Sequence, residues 1–287
     1  MPMAATLLGR ATVAGVSGFT RSTAVCSAIR ATRVWLALLA IGTLALIVSL
    51  TPAAPAAPVA RAVLASARPL AGRVIGIDPG HNGHNWSAPA FLAHQIWNGR
   101  ELEDCDTTGT STDGGYTEAQ FNFNVARYLR GDLLAEGARV VMTRNSNVGV
   151  GPCVTTRARI IDAARANVAI DIHADGGPPS GRGFAILLPV ADGVNDRVIA
   201  ASERFGGILR GRFQAVTRMP LSTYNGVQGL EFRDDLAGLN LTTVPKVLIE
   251  CGNMRNASDA ALLVTVSFQR LAARAMAQAI TAFLARH

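Results

Sequence analysis

The chain lacks both of the short signatures that most often announce a hydrolase. It has no His-Glu-x-x-His run, which argues against a thermolysin-like metal site on one helix. It has no Gly-x-Ser-x-Gly elbow either, which removes the common serine α/β-hydrolase reading. Histidine is scarce, limited to His81, His84, His94, His173 and His287. Charged residues make up only 16% of the 287 positions, against 49% hydrophobic, and no repeat of fixed period is visible. That balance provides ample material for a buried core.

Acidic residues are missing from positions 1–33, which hold Arg10, Arg21, Arg30 and Arg33. An uncharged apolar run, Val34–Leu50, follows, and then small-residue sites such as Ala54-Pro55-Ala56. A basic leader, an apolar stretch and small residues together describe an export signal over residues 1–50. Seventeen apolar residues lie at the short edge of what spans a bilayer, so an uncleaved anchor is the alternative, and the one route by which the protein would touch a membrane. The expected destination is the periplasm, the cell wall or the exterior. Residues 51–72 are rich in Ala and Pro and read as cleavage region and tether, with the folded domain at 73–287. Without the four leader arginines, Lys+Arg falls from 27 to 23 against 20 acids, and the formal charge drops from +7 to +3. The basic balance is thus mainly a property of the leader, and no nucleic-acid partner is implied.

From Arg73 onward the pattern alternates. Val74–Asp78 reads as a buried strand that the turn Asp78-Pro79-Gly80-His81 ends. Residues 83–116 form a long polar stretch with Gly99, Gly109, Gly114, Gly115, Trp86, Trp97 and Cys105, too long to be idle in a compact domain. Thr117 is a good N-cap for a helix through Phe121, Val125, Leu129 and Leu133 that Gly137 stops, so Glu118 opens that helix. Further strands are expected at Arg139–Thr143, Val168–Ile172, Gly183–Pro189 and Val247–Ile249. Helices are expected at Thr156–Ala166, Val194–Phe213 and twice near the C-terminus, the last with Leu271, Ala275, Ala279, Ile280 and Phe283 on its apolar face. The segment Thr217–Gly238 reads as irregular. Strands alternating with helices predict an α/β fold of βαβ units, with a largely parallel sheet covered on both faces.

Chemistry gathers at the strand ends. His81 and His173 each follow a core strand, Glu250 ends another, and Glu118 starts the first long helix. In a parallel sheet these ends share one edge, where α/β folds bind ligands. Two imidazoles and a carboxylate are a zinc-ligand set that leaves one tetrahedral position open. Each residue alone has a plainer reading: a loop histidine, or a glutamate complementing a helix dipole. Glu250 is the exception, because a carboxylate ending a buried Val-Leu-Ile run needs a partner, a metal or a proton. The His81-x-x-His84 pair is a weaker alternative, with no helix to hold both rings on one face.

Assembled in order, IDPGHNG, TEAQFNFNVARYL, MTR, TTRARIIDAARAN, IDIHAD, Gly183-Phe184 and PKVLIECGNMRN resemble the amidase type 3 family of zinc-dependent N-acetylmuramoyl-L-alanine amidases, in particular its exported single-domain actinobacterial members. The resemblance implies that His81, Glu118 and His173 bind Zn2+, that Glu250 is the catalytic carboxylate, and that the fold is a single α/β domain with a mixed or mostly parallel sheet of about six strands flanked by helices. It implies peptidoglycan or muropeptide as substrate, cut between N-acetylmuramic acid and L-alanine, by a protein expected to be monomeric. A zinc peptidase acting on cell-wall stem peptides, or a non-catalytic wall-binding protein, are the rival readings. Two departures stand out: the length of residues 83–116, and Gly252-Asn253-Met254 in place of the Gly-Phe that often follows the glutamate.

Of four cysteines, Cys26 lies in the leader. Cys105 and Cys153 fall in predicted loops, whereas Cys251 follows Glu250 within a strand and faces the core if Glu250 faces the site. A Cys105–Cys153 disulfide is therefore expected in an oxidising compartment, closing a loop that contains Glu118.

Overall fold

The structure, a computed structural model, describes residues 68–285. The export signal read over 1–50 and most of the tether read over 51–72 lie outside the described residues. Eight strands are found among the described residues: β1 (Val74–Pro79), β2 (Gln95–Trp97), β3 (Leu102–Asp104), β4 (Arg139–Met142), β5 (Val168–Asp175), β6 (Ala185–Pro189), β7 (Leu230–Arg233) and β8 (Lys246–Asn253). The longer helices are α1 (Glu118–Ala135), α2 (Val154–Ala163), α3 (Ile199–Thr217), α4 (Ala257–Leu263) and α5 (Val266–Leu284).

Six strands form one sheet in the order β4-β1-β5-β8-β6-β7, parallel except where β6 runs against β8. The α/β architecture with a mixed, mostly parallel sheet is thus as the alternation and the resemblance predict. Strand parity sorts the side chains. Ile75, Ile77, Ile170, Ile172, Val247, Ile249 and Cys251 turn to one face and join residues of α1, α3 and α5 in the main core. Asp78, Asp171, His173, Lys246 and Glu250 occupy the alternate positions on the same strands and turn to the other face, toward α2. The main core thus lies on one side of the sheet, and the polar centre lies on the other beside two smaller apolar clusters.

Several boundaries differ from the sequence reading. His173 does not follow its strand, nor does Glu250 end its own; both lie within them, as a register pair, because β5 and β8 keep pairing to Asp175 and Asn253 across an irregularity after His173. The supposedly irregular Thr217–Gly238 contains β7, a four-residue edge strand whose Phe232 is exposed and gives no apolar alternation to read. Leu271, expected on the buried face of α5, is exposed, while Ala275, Ala279, Ile280 and Phe283 are buried. The 83–116 stretch is ordered by a β2–β3 hairpin and by the Cys105–Cys153 disulfide, and by the buried side chains of Asn85 and Asn98. Asn98 Oδ1 accepts from the backbone N–H of Arg100 and Glu101, tying the turn of the hairpin. Cys251 is a free, fully buried thiol.

Candidate metal centre

The adjacent strands β1, β5 and β8 end side by side, and their carboxyl ends carry the polar groups. Register pairs Asp78 with Asp171 and His173 with Glu250. His81 stands three residues beyond Asp78 in the left-handed region, with φ 58°, a conformation that costs a non-glycine residue energy and recurs at functional sites. Glu118 is the first residue of α1, behind Thr117, whose hydroxyl accepts from the Gln120 N–H as an N-cap. The helix N-terminus and its cap thereby aim a carboxylate at the strand ends.

These elements bring one nitrogen each of His81 and His173 and one oxygen of Glu118 within 4.8 Å of one another. His81 Nε2 lies 3.3 Å from Glu118 Oε2, and His173 Nδ1 lies 2.8 Å from Glu118 Oε1. The two rings meet edge to face, with centroids 4.9 Å apart. The Glu118 carboxylate is fixed by the N–H of Thr110 at 3.0 Å and of Ala174 at 3.3 Å. Two glycines leave the room: a Cβ on Gly80 would stand 2.1 Å from His173 Cε1, and one on Gly109 would stand 2.6 Å from the His81 ring. His84 and His94 are exposed and do not join the cluster, so the His81-x-x-His84 pairing does not form.

Each ring is held from behind. Asp106 Oδ1 is hydrogen-bonded to His81 Nδ1 at 3.2 Å, whereas Asp171 Oδ1 faces His173 Nε2 at 3.3 Å as an ion pair outside hydrogen-bond geometry. A carboxylate on the far nitrogen of an imidazole fixes ring orientation and raises its basicity toward a metal. The electrostatics agree. Burial opposes charge on His81, but Glu118 and Asp106 outweigh it and raise its pKa to about 9. His173 is likewise pushed well up against burial by Asp171 and Glu118, and Glu118 is held well below the usual carboxylate range by the rings despite its burial. The negative charge that favours protons on these rings equally favours a cation at their lone pairs. Two imidazoles and a carboxylate, braced and in a glycine-lined cradle, fit a divalent ion such as zinc.

Glu250, in register beside His173, lines the same cleft of about 470 Å3. Burial, together with Glu118 and Asp175, pushes its pKa well above the usual carboxylate range, against the pull of His173. Its Oε2 is buried without a hydrogen-bond partner.

Residues 75–282 match the family model for N-acetylmuramoyl-L-alanine amidase, Amidase_3. The chain belongs to this amidase family. It is 41% identical over 224 residues to N-acetylmuramoyl-L-alanine amidase Rv3717 of Mycobacterium tuberculosis, an alignment that takes in 77% of this chain and 91% of that protein. The structure is similar to that of the N-acetylmuramyl-L-alanine amidase Ami1 from Mycobacterium smegmatis, with a TM-score of 0.72 and 38% identity, covering 76% of this chain and 99% of that one. The Mycobacterium abscessus Ami1 compares at a TM-score of 0.69 and 38% identity, covering 75% of this chain and all of that one. The likeness is therefore to the single-domain actinobacterial type of amidase.

Sequence reasoning reached His81, Glu118, His173 and Glu250, but it passed over the residues behind them in this amidase. Asp106 and Asp171 stand behind the rings, Arg157 and Lys246 pair with those aspartates, and Asp78 pairs with both cations. Two signals were available. Asp171 stands two residues before His173, and Lys246 four before Glu250, both spacings that share a sheet face. Lys246 is also the only lysine of the chain.

Proposed function

We propose that the chain is an exported, zinc-dependent enzyme that hydrolyses the amide between N-acetylmuramic acid and L-alanine in peptidoglycan, with Glu250 as general base and acid. The observation that carries this reading is the convergence of His81, Glu118 and His173 beside Glu250 in one cleft, within a chain of the amidase family. His81, Glu118 and His173 would hold the ion, and Asp106 and Asp171 would keep the rings aligned toward it. Bound there, zinc supplies Lewis acidity, activating water and polarising the scissile carbonyl. Glu250 takes the proton of the attacking water and returns it to the nitrogen of the departing L-alanine. A carboxyl group with a raised pKa suits both halves of that transfer near neutral pH. The buried floor of the cleft, with Leu187, Leu239 and Leu248, limits water around the reacting atoms.

Digestion of purified peptidoglycan, read by mass spectrometry, tests the bond. Glycans with free muramic acid carboxyls and peptides beginning at L-alanine are expected. Cuts confined to the stem peptide would instead make the protein a zinc peptidase, and intact sacculi would favour a non-catalytic wall binder. Elemental analysis tests the metal: one zinc per chain is expected, lost in His173→Ala. It should also be lost in Gly80→Ala, where the added methyl takes the space of the His173 ring. Unchanged stoichiometry in His173→Ala would remove that residue from the ligand set. N-terminal sequencing of protein recovered from the culture medium or wall fraction tests export; a start beyond residue 50 is expected, and recovery only from the cytosol would overturn it.

A further inference from the structure

The carboxylates behind the two histidines are not independent. Asp106 turns Oδ1 to His81 and Oδ2 to Arg157 Nη2, at 3.2 Å. Asp171 faces His173 Nε2 with Oδ1 at 3.3 Å and Lys246 Nζ with Oδ2 at 3.4 Å, both as ion pairs. Both cations then meet on a single residue. Asp78 receives Arg157 Nη1 on Oδ1 at 3.1 Å and Lys246 Nζ on Oδ2 at 2.8 Å. The result is one continuous path, His81–Asp106–Arg157–Asp78–Lys246–Asp171–His173. Asp78, Arg157, Lys246 and Asp106 are all at least 97% buried in their side chains.

From this continuous path we infer that Asp78 is a positioning residue, one that sets the orientation of both histidines toward the metal through Arg157 on one arm and Lys246 on the other. The inference rests on the zinc-site reading above. A buried ion pair is poor as a stability device, because desolvation consumes most of its Coulombic gain. What it does supply is direction: each oxygen of Asp78 has its own cation, and each cation has its own aspartate. Asp78 itself is anchored independently, by the Thr143 hydroxyl donating to Oδ1 at 2.6 Å and by its place in β1. It is therefore a fixed point from which the two ring-holding carboxylates are set at the same time.

The geometry also predicts an asymmetric response. In Asp78→Asn, Arg157 and Thr143 both need an acceptor on the Oδ1 side, so the amide oxygen stays there and the amide NH2 faces the Lys246 ammonium. Donor against donor breaks the Lys246 arm and leaves the Arg157 arm closed. His173 should lose its alignment while His81 keeps it.

The test uses the full chain, with zinc affinity measured by competition against a chromophoric chelator and histidine ring nitrogens followed by NMR on 15N-histidine protein. Asp78→Asn is expected to weaken zinc binding about 10–100-fold, the range for outer-shell partners of ligating histidines, and to shift the His173 ring signals but not those of His81. Asp171→Asn interrupts the same arm nearer the ring while leaving Lys246 on Asp78, so it serves if the first variant fails to fold, and it should give the same loss. Combined, the two should lose no more than either alone, whereas Asp106→Asn should add its loss to both. A parent that binds zinc alongside variants that bind it equally well, with only melting temperature lowered, overturns the inference and leaves the metal site standing. A parent that takes up no zinc overturns the metal reading and the inference with it.

Discussion

Glu250→Gln is expected to keep zinc and fold while lowering turnover on peptidoglycan by about 10²–10⁴-fold, the usual contribution of a positioned general acid and base. Glutamine preserves the side chain's shape in the cleft but can neither take the water's proton nor return it to the amine. The variant should not be less stable than the parent. Glu250 is a carboxyl group whose Oε2 has no partner and whose ionisation burial opposes, so its removal takes away a cost. The sign of the pH dependence follows. A carboxyl whose folded pKa is raised favours the native state most below its unfolded pKa, and that advantage is lost as pH rises toward the folded value. In chelator-treated protein, Glu250→Gln should therefore match the parent below about pH 4, the ordinary glutamate range, and exceed it in melting temperature at neutral pH. Turnover near the parental rate with zinc bound would show that another group moves the proton. A melting temperature lower than the parent's at neutral pH would show that the carboxylate is anionic and paired.

The parts of this molecule that could be read from the chain are those governed by local pattern. β1, β5 and β8 are short apolar runs that turn signals or polar residues delimit, and α1 carries both its cap and its stop, so their presence follows from local pattern and, in a parallel sheet, so does the edge they share. The four residues that converge in the cleft were legible for the same reason, since each interrupts, terminates or opens such a run. Of the charged residues behind them, only Asp171 and Lys246 left a local trace, in their spacing from His173 and Glu250. Asp78, Arg157 and Lys246 come together from positions as far apart as 168 residues, and nothing in the neighbourhood of any one indicates the other two. Asp106 sits in the polar 83–116 stretch, where one more aspartate carries no signal. β7 escaped because an edge strand with an exposed Phe232 lacks the alternation by which strands are recognised.

Cys105→Ser, or reduction of the native protein, is expected to lower the melting temperature on the order of 10 °C and to weaken zinc binding, by two separate physical routes. The cysteines are 48 positions apart and bonded, with Cα atoms 4.7 Å from each other. In the chain-entropy model a bridge over a loop of that length restricts the unfolded chain by roughly 4 kcal/mol, an amount that measured bridges often fall below. In a domain of this size each kcal/mol moves the melting temperature by about 2–4 °C. The second route acts on the native state, and the structure locates it more closely than the enclosure of Glu118 in the loop would suggest. Cys105 is followed directly by Asp106, the residue behind His81. Cys153 stands at the start of α2, one turn before Arg157, which holds the other oxygen of Asp106. The bridge thus ties Asp106 to the helix that supports it, and the N–H of Val154 donating to the Cys105 carbonyl at 2.9 Å reinforces the same junction. Asn85 donates to Asp106 Oδ2 at 3.1 Å and to the Thr107 carbonyl at 2.7 Å, and these bonds survive reduction. The loss of zinc affinity should therefore be smaller than in Asp106→Ala, where the His81 partner is gone altogether. Peptide mapping of unreduced protein with both thiols freely alkylated would remove the bridge. A lowered melting temperature with unchanged zinc affinity would confine it to the unfolded state and sever its connection to His81.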